Sequence, residues 1–446
     1  AHATTVTGDG AVVPSDAFLV KPVLRFGGAE ISPFYAGTWV HDVHGRPLIV
    51  TSGDLVPPQP RLGHYLGQDW AKGKSWQANF GVTAKVPLTS NIAFRGGLFR
   101  SEVTRHQNFT ELFRFAAPGT TATHRLIADP RQHLHSVSGE GQIAVRFGTE
   151  RMVHRVIAGY RMRHRYTESG GSDVRDLGTI DLYGTDPEPE PVFAFGAVNL
   201  GKVDQSAMTL GYQLDAKGVG RLNLGLQRAR YRALFRDART GLVTRSRDDA
   251  WVYNASGTVN LTEGIELFAG VQTGLEDSGA APENAANRNE QLPTTRSTQY
   301  EAGLRWKFGQ HQLVASAFQI KRPYFTFDAA NRFTELGEAR YRGVELSFAG
   351  HFGRLTALAG AVFSMPEVTG PARDAGLVGE RPAGMPKVYS RIDLQYRTNL
   401  LGGVTPTVTV IHTGSRAMGS APVAALGGQQ AMLDPHTSFD LGLRHQ

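Results

Sequence analysis

The sequence predicts an all-β protein, an antiparallel transmembrane β-barrel, and three observations carry that prediction. Apolar and polar residues alternate with period two in segment after segment. Many of these segments run about 11 to 15 residues, whereas ordinary strands cluster near 5 or 6. Tight turns alternate with long loops, the signature of a barrel with short turns at one rim and long loops at the other. Composition agrees: only 41% of the 446 residues are hydrophobic. No run approaches the ~18 apolar residues of a membrane helix, and a closed barrel also satisfies every backbone group internally.

Taken in order, residues 1–17 read as an unassigned lead-in, an extracellular loop, and the barrel portion as 18–446, starting with a strand over 18–26. Trp76, Ala78, Phe80, Val82, Ala84 and Val86 then alternate with Gln77, Asn79, Gly81, Thr83 and Lys85. Met152, Val156, Ala158, Tyr160 and Met162 stand opposite Arg155, Arg161, Arg163 and Arg165, with Arg151 in the same odd-numbered set. Segment 222–234 loses its phase near Arg228, which predicts a bulge. Tyr300, Ala302, Leu304, Trp306 and Phe308 alternate with Gln299, Glu301, Gly303, Arg305 and Lys307. Segment 324–336 reads as loop. Val388, Ile392, Leu394 and Tyr396 alternate with Tyr389, Arg391, Asp393 and Gln395, and the last strand spans 438–444. The total is about 17 strands.

A half-buried soluble sheet also alternates, so connections decide the class. Tight turns are expected at Gly27-Gly28, at Pro87 to Asn91, at Gly148 to Glu150, at Lys217 to Gly220, at Glu263-Gly264, at Gly309-Gln310 and at His351 to Gly353. Long loops are expected near 41–73, 103–134, 167–203, 278–296 and 367–384. Trp39, Trp76, Trp251, Trp306, Tyr166 and Tyr396 sit at strand ends, where aromatic rings form interfacial girdles.

Arginine on the lipid face costs about 2–4 kcal/mol near the bilayer midplane, so Arg151, Arg155, Arg161, Arg163 and Arg165 are expected to face the lumen. No nucleophile elbow, phosphate-binding loop or dinucleotide fingerprint is present, and no enzyme is indicated. His41 with His44, and His133 with His135, lack a third ligand and do not make a metal site. With no cysteine and no Lys/Arg run, thiolate metal sites, disulfides and a nucleic-acid partner are not expected. Asp186 to Pro191, with proline at alternate positions, reads as a stiff extended loop.

Later motifs are more specific. YEAGLRWKF (300–308), LVASAFQIKRP (313–323), FTELGEARYRGVELSFAG (333–350), LTALAGAVFSM (355–365), PKVYSRIDLQYR (386–397), VTPTVTVIHTGSR (404–416) and TSFDLGLR (437–444) follow one another in the order of the C-terminal half of TonB-dependent siderophore receptors, which the chain resembles. Gly303, Gly343 and Gly360 are expected where the backbone must pass close to another element, and Glu301 and Glu345, on their face, to point to lumen or plug.

The resemblance implies an outer-membrane receptor that imports ferric iron as a siderophore complex, a monomer in outer-membrane lipid, energised by the TonB complex through a plug. Haem, cobalamin, copper or sugar are alternative cargoes on the same scaffold, and a barrel enzyme is the alternative of another class. Such receptors have 22 strands around a plugged lumen. The plug and its TonB box find no match here, and the chain opens on AHATTVTGDG without an initiator Met, so a partial barrel is expected. Aromatic and cationic residues in or beside the loops suit a bulky anionic chelate: Tyr65, Trp70, Arg165, Tyr166, Tyr324 and Phe325 are the expected ligand contacts.

Overall fold

The computed structural model describes residues 2–6, 10–51, 58–184, 187–282, 284–399 and 402–445. Strand β1 (His2–Val6) pairs with β2 (Val12–Val20), and after a break β3 (Leu24–Phe26) continues along β4 (Ala29–His44). The chain leaves the wall as β5 (Arg46–Thr51) and returns as β6 (Lys72–Pro87) and the long β7 (Ile92–Phe115). After β8 (Thr121–Asp129) come β9 (Gln132–Gly148) and β10 (Met152–Ser169), then β11 (Asp173–Asp181). An unbroken antiparallel run follows: β12 (Asn199–Ala216), β13 (Gly220–Arg236), β14 (Val243–Asn260), β15 (Ile265–Glu276), β16 (Thr295–Phe308), β17 (His311–Phe327), β18 (Phe333–Phe352) and β19 (Leu355–Thr369). A single-turn helix (Pro371–Asp374) precedes β20 (Val388–Tyr396), β21 (Val404–Thr413), the two-residue β22 (Arg416–Ala417) and β23 (Met432–Leu433), and β24 (His436–His445).

Among the described residues, and taking β2 with β3 as one, seventeen strands follow each other through the wall, the number the alternation indicated. β24 pairs with β21 and, among the described residues, with no strand on its far side. The wall curves: Phe99 of β7 and Gly274 of β15, six strands apart, line one cavity. Apolar side chains point outward, as Tyr300 (47% exposed), Trp306 (43%) and Leu346 (40%) illustrate, while Gln299, Glu301 and Arg305 of β16 take the opposite face. That inversion of a soluble core is what lipid on the outside requires. Short turns gather at one rim; at Gly27-Gly28 both residues have positive φ (55° and 78°), the geometry of a two-residue hairpin turn whose twist matches its strands.

Four expectations change. Residues 12–17 of the lead-in are strand, not loop, so the first wall strand starts at Val12, and it breaks at 21–23. Beyond the bilayer no lipid enforces alternation, and Pro14-Ser15-Asp16 therefore reads as loop. No bulge interrupts β13: its register with β12 and β14 is continuous. What changes at Arg228 is the medium its outer face meets. Segment 324–336 is largely strand, with 328–332 alone as the turn.

The fourth change concerns the long loops at 41–73, 103–134 and 167–203, which fold together into a second sheet. β5 runs parallel to the outer end of β7, β8 pairs antiparallel with β7, and β11 with β8. Alternate residues of β8, Ala122, His124, Leu126 and Ala128, are buried. One cluster gathers Leu66, Phe113, Phe115, Ile180 and Leu182, and another Ala71, Phe109 and Leu126 against Trp70 and Phe193. Asp186 lies outside the described residues; 187–198 run without strand pairing.

Candidate functional site

The arginines of β10 define one side of the interior. Successive residues of a strand point to opposite faces, and Tyr160 and Met162 are outward and 47% and 48% exposed. Arg155, Arg161, Arg163 and Arg165 therefore share the inner face. Arg151 does not join them: it sits in the turn before β10, where its carbonyl accepts the Lys217 N–H at 2.9 Å. Arg163 Nε donates to Ser136 Oγ at 3.0 Å and Arg165 donates to Asp277 Oδ2 at 3.2 Å. Asp277 Oδ1 also accepts the Tyr231 hydroxyl at 2.6 Å and the Gly279 N–H at 3.0 Å. Burial first, then the Asp277 carboxylate, hold the Tyr231 phenol protonated far above its ordinary range. Arg165 Nε is buried and has no hydrogen-bond partner among the described residues.

Of the cavities on the inner face, two adjoin one another. Arg161 and Arg163 line one of about 560 Å³ with Phe99, Glu140, Gln205 and Tyr231. The other, about 870 Å³, is lined by Phe318, Ile320, Arg322, Tyr341 and Tyr389, with Gln272, Gln299 and Ser364 supplying polar edges. Thr273 and Gly274 belong to both, so the cavities adjoin. One side thus presents guanidinium groups and the other aromatic and aliphatic surface, a combination that suits a large ligand with anionic oxygens and an organic skeleton.

Glycine shapes the apolar side. Gly343 lies opposite Phe318, whose ring is 2.8 Å from where a Cβ would stand, with the Phe363 carbonyl at 2.4 Å. Any side chain there would displace the ring from the cavity wall. Gly303 is equally tight, against the Ala315 carbonyl and the Phe268 ring, whereas Gly360 has its nearest neighbour at 3.9 Å and no such need for glycine. Glu301 and Glu345 share the inner face, opposite the exposed Tyr300 and Leu346.

The aromatic residues singled out from the loops are placed differently from one another, and none lines the two cavities. The Tyr65 hydroxyl shares its one proton between the Gly45 carbonyl at 2.8 Å and Glu111 Oε1 at 3.0 Å inside the loop sheet. Trp70 packs edge-on to Phe109 and donates Nε1–H to the Glu188 carbonyl at 2.7 Å. Phe325 packs with Ala281, Ala285 and Leu292, and Tyr324 with Val368, Ala372 and Val378, where burial pushes its phenol up. Tyr166 follows Arg165 directly and so takes the outer face, stacked on His135 at 5.1 Å. His133 and His135 lie 5.3 Å apart by ring centroids, and among the described residues no group of three or more potential ligands could hold a metal.

Phe318, Arg322, Tyr341 and Tyr389 carry the larger cavity and were not singled out in the sequence. Parity could have found three of them: Tyr341 shares the face of Gly343 and Glu345, Tyr389 that of Arg391 and Asp393, and Arg322 that of Ser316. Phe318 breaks the apolar-out rule on that same face, the signal of an inward aromatic.

The family model for TonB-dependent receptor-like β-barrels matches residues 23–446. The ferrichrome receptor FcuA of Yersinia enterocolitica is 25% identical over 438 residues, covering 90% of this chain and 54% of that protein. BauA, the ferric preacinetobactin receptor of Acinetobacter baumannii, superposes with a TM-score of 0.80 at 18% identity, over 99% of this chain and 66% of that one. PiuA, a siderophore receptor of the same organism, gives 0.79 at 14% identity, over 99% and 69%. The chain thus spans about half the length of the curated relative and about two thirds of the solved structures it resembles.

Proposed function

Because the chain belongs to the TonB-dependent receptor-like β-barrel family of the bacterial outer membrane, whose members are receptors and not enzymes, we propose that it forms the ligand-facing wall of a receptor importing ferric siderophore complexes. The observation that carries this reading is the pair of adjoining inner cavities, cationic at Arg161 and Arg163 and aromatic at Phe318, Tyr341 and Tyr389. Arginine donates in-plane hydrogen bonds to the anionic oxygens around a chelated iron. The aromatic side buries the chelate's organic skeleton. The relationship to a ferrichrome receptor supports the same cargo class. Ferric iron enters as part of the cargo, not as a resident cofactor.

Transport itself needs coupling. Energy would arrive from the TonB complex through a plug within the barrel, against which Arg155, Glu301 and Glu345 present charge. The test is growth of an iron-starved strain lacking the receptor, complemented with the intact gene, on a panel of ferric siderophores, haem and cobalamin. Rescue by at least one ferric siderophore is expected; rescue by cobalamin or haem alone would overturn the assignment.

A further inference from the structure

The outer face of β13 changes character part-way along. Leu222, Leu224 and Leu226 point outward; Arg228, Arg230 and Arg232 continue the same face, all exposed, while Ala229, Tyr231 and Ala233 are buried behind them. β14 does the same in reverse, with Arg245 and Arg247 outward, then Trp251 (56% exposed) and Tyr253 (48%), then Ala255 and Val259. Arg228 lies opposite Trp251, its guanidinium 5.7 Å from the indole centroid.

Depth follows from strand geometry. From the tight turn before Gly220, a tilted strand needs about nine residues to cross the hydrocarbon core, which brings β13 to Arg228. The aromatic pair of β14 sits at that level, where an interfacial girdle belongs. The arginines therefore begin where the acyl chains end, on the long-loop side.

Their charge is largely uncompensated. In this patch Asp249 is engaged 3.6 Å from Arg247, and Asp204, opposite Arg232, is engaged by His164. Arg228, Arg230, Arg232 and Arg245 have no carboxylate partner among the described residues. The corresponding outward arginines of β18 differ: Arg340 contacts Glu338 at 2.8 Å and Glu367 at 3.3 Å, and Arg342 lies 4.0 Å from Glu367 and donates to Gln319 at 2.8 Å. Arginine is thus neutralised by protein on one side of the wall and left open on the other.

We propose that the outer face of the β13–β14 hairpin, Arg228, Arg230 and Arg232 with Arg245, binds the phosphate groups of anionic lipid in the outer leaflet. Phosphate oxygens match the guanidinium fork, and the lipid's acyl chains continue down over Leu222, Leu224 and Leu226. This surface lies on the opposite face of the wall from the cargo cavities and is independent of what the receptor imports.

The test uses the intact receptor in dodecyl maltoside micelles, titrated with diphosphorylated lipid A and with the same lipid stripped of phosphate, bound lipid being counted by native mass spectrometry. Diphosphorylated lipid is expected to bind at least about tenfold more tightly than the stripped form, and Arg228→Gln/Arg230→Gln/Arg232→Gln to lose that preference. The triple Lys variant should keep most of it, and Arg340→Gln/Arg342→Gln all of it. Heat-modifiable electrophoretic mobility reports that each barrel is folded. Equal binding of the two lipids, or a preference unchanged in the Gln variant or lost equally in the Lys variant, would overturn the proposal.

Discussion

Replacing Glu111 with Ala should unfasten the loop sheet from the barrel mouth without opening the barrel. The Glu111 carboxylate is completely buried, accepting the Gln68 N–H at 2.9 and 3.0 Å and the Tyr65 hydroxyl at 3.0 Å. It also meets His124 Nε2 at 2.8 Å, itself buried and stacked on Phe113. Removing it deprives a backbone N–H and an imidazole of the group they face, each at about 1–3 kcal/mol. Together these come to about 2–6 kcal/mol. Amide hydrogen exchange by mass spectrometry reads this directly. Peptides covering β5, β8 and β11 should exchange at least about thirtyfold faster, because every 1.4 kcal/mol of local opening is tenfold. Peptides from β16 to β19 should not change. Unaltered protection in β8 and β11 would refute the view that one buried carboxylate ties these loops together.

Other substitutions probe the interior and the rim. Arg161→Gln/Arg163→Gln should weaken binding of an anionic ferric chelate at least about tenfold, by the ~1.5–3 kcal/mol of a hydrogen bond to a charged group, measured by quenching of intrinsic fluorescence. Gly343→Val should push the Phe318 ring out of the larger cavity and weaken the same binding while the barrel stays folded, as heat-modifiable mobility would report. Asp237 is held below the usual carboxylate range, chiefly by the Thr240 N–H and then by Arg239 and Asn289. A carboxyl lowered in the folded state contributes order above its unfolded pKa of about 3.9 and loses it as pH falls through the folded value. Proteolytic cutting in 237–242 should therefore rise at pH 3 over pH 6 with an acid-active protease, and Asp237→Asn should abolish most of that difference.

How much of this could be read from sequence follows the solvent. Inside the bilayer every outward residue must be apolar, so period two is enforced and the seventeen wall strands were legible, down to the inner face of Arg161 and Arg163. Above the bilayer both faces meet water or protein and the constraint lapses. β2 was accordingly missed before Phe18, β13 looked out of phase at Arg228, and strand at 324–327 and 333–336 passed for loop. The loop sheet was hidden for a further reason: β5 pairs in parallel with β7 across 58 intervening residues (52–109), and no local pattern encodes such a partner. The setting of the loop aromatics was hidden on the same ground: Tyr65, Trp70, Tyr324 and Phe325 pack within loops that proved to be folded and lie away from the two cavities. Tyr166 is different: strand parity alone, applied to Arg165, sends it outward.

The location of iron in the loaded receptor tests the central claim most directly. Crystals of the intact receptor soaked with the ferric siderophore that rescues growth, measured at the iron absorption edge, should show an anomalous peak in the space shared by the two cavities, between Arg161 and Arg163 on one side and Phe318, Tyr341 and Tyr389 on the other. A peak bound only against the outer surface of the loop sheet, with both cavities empty, would contradict the account.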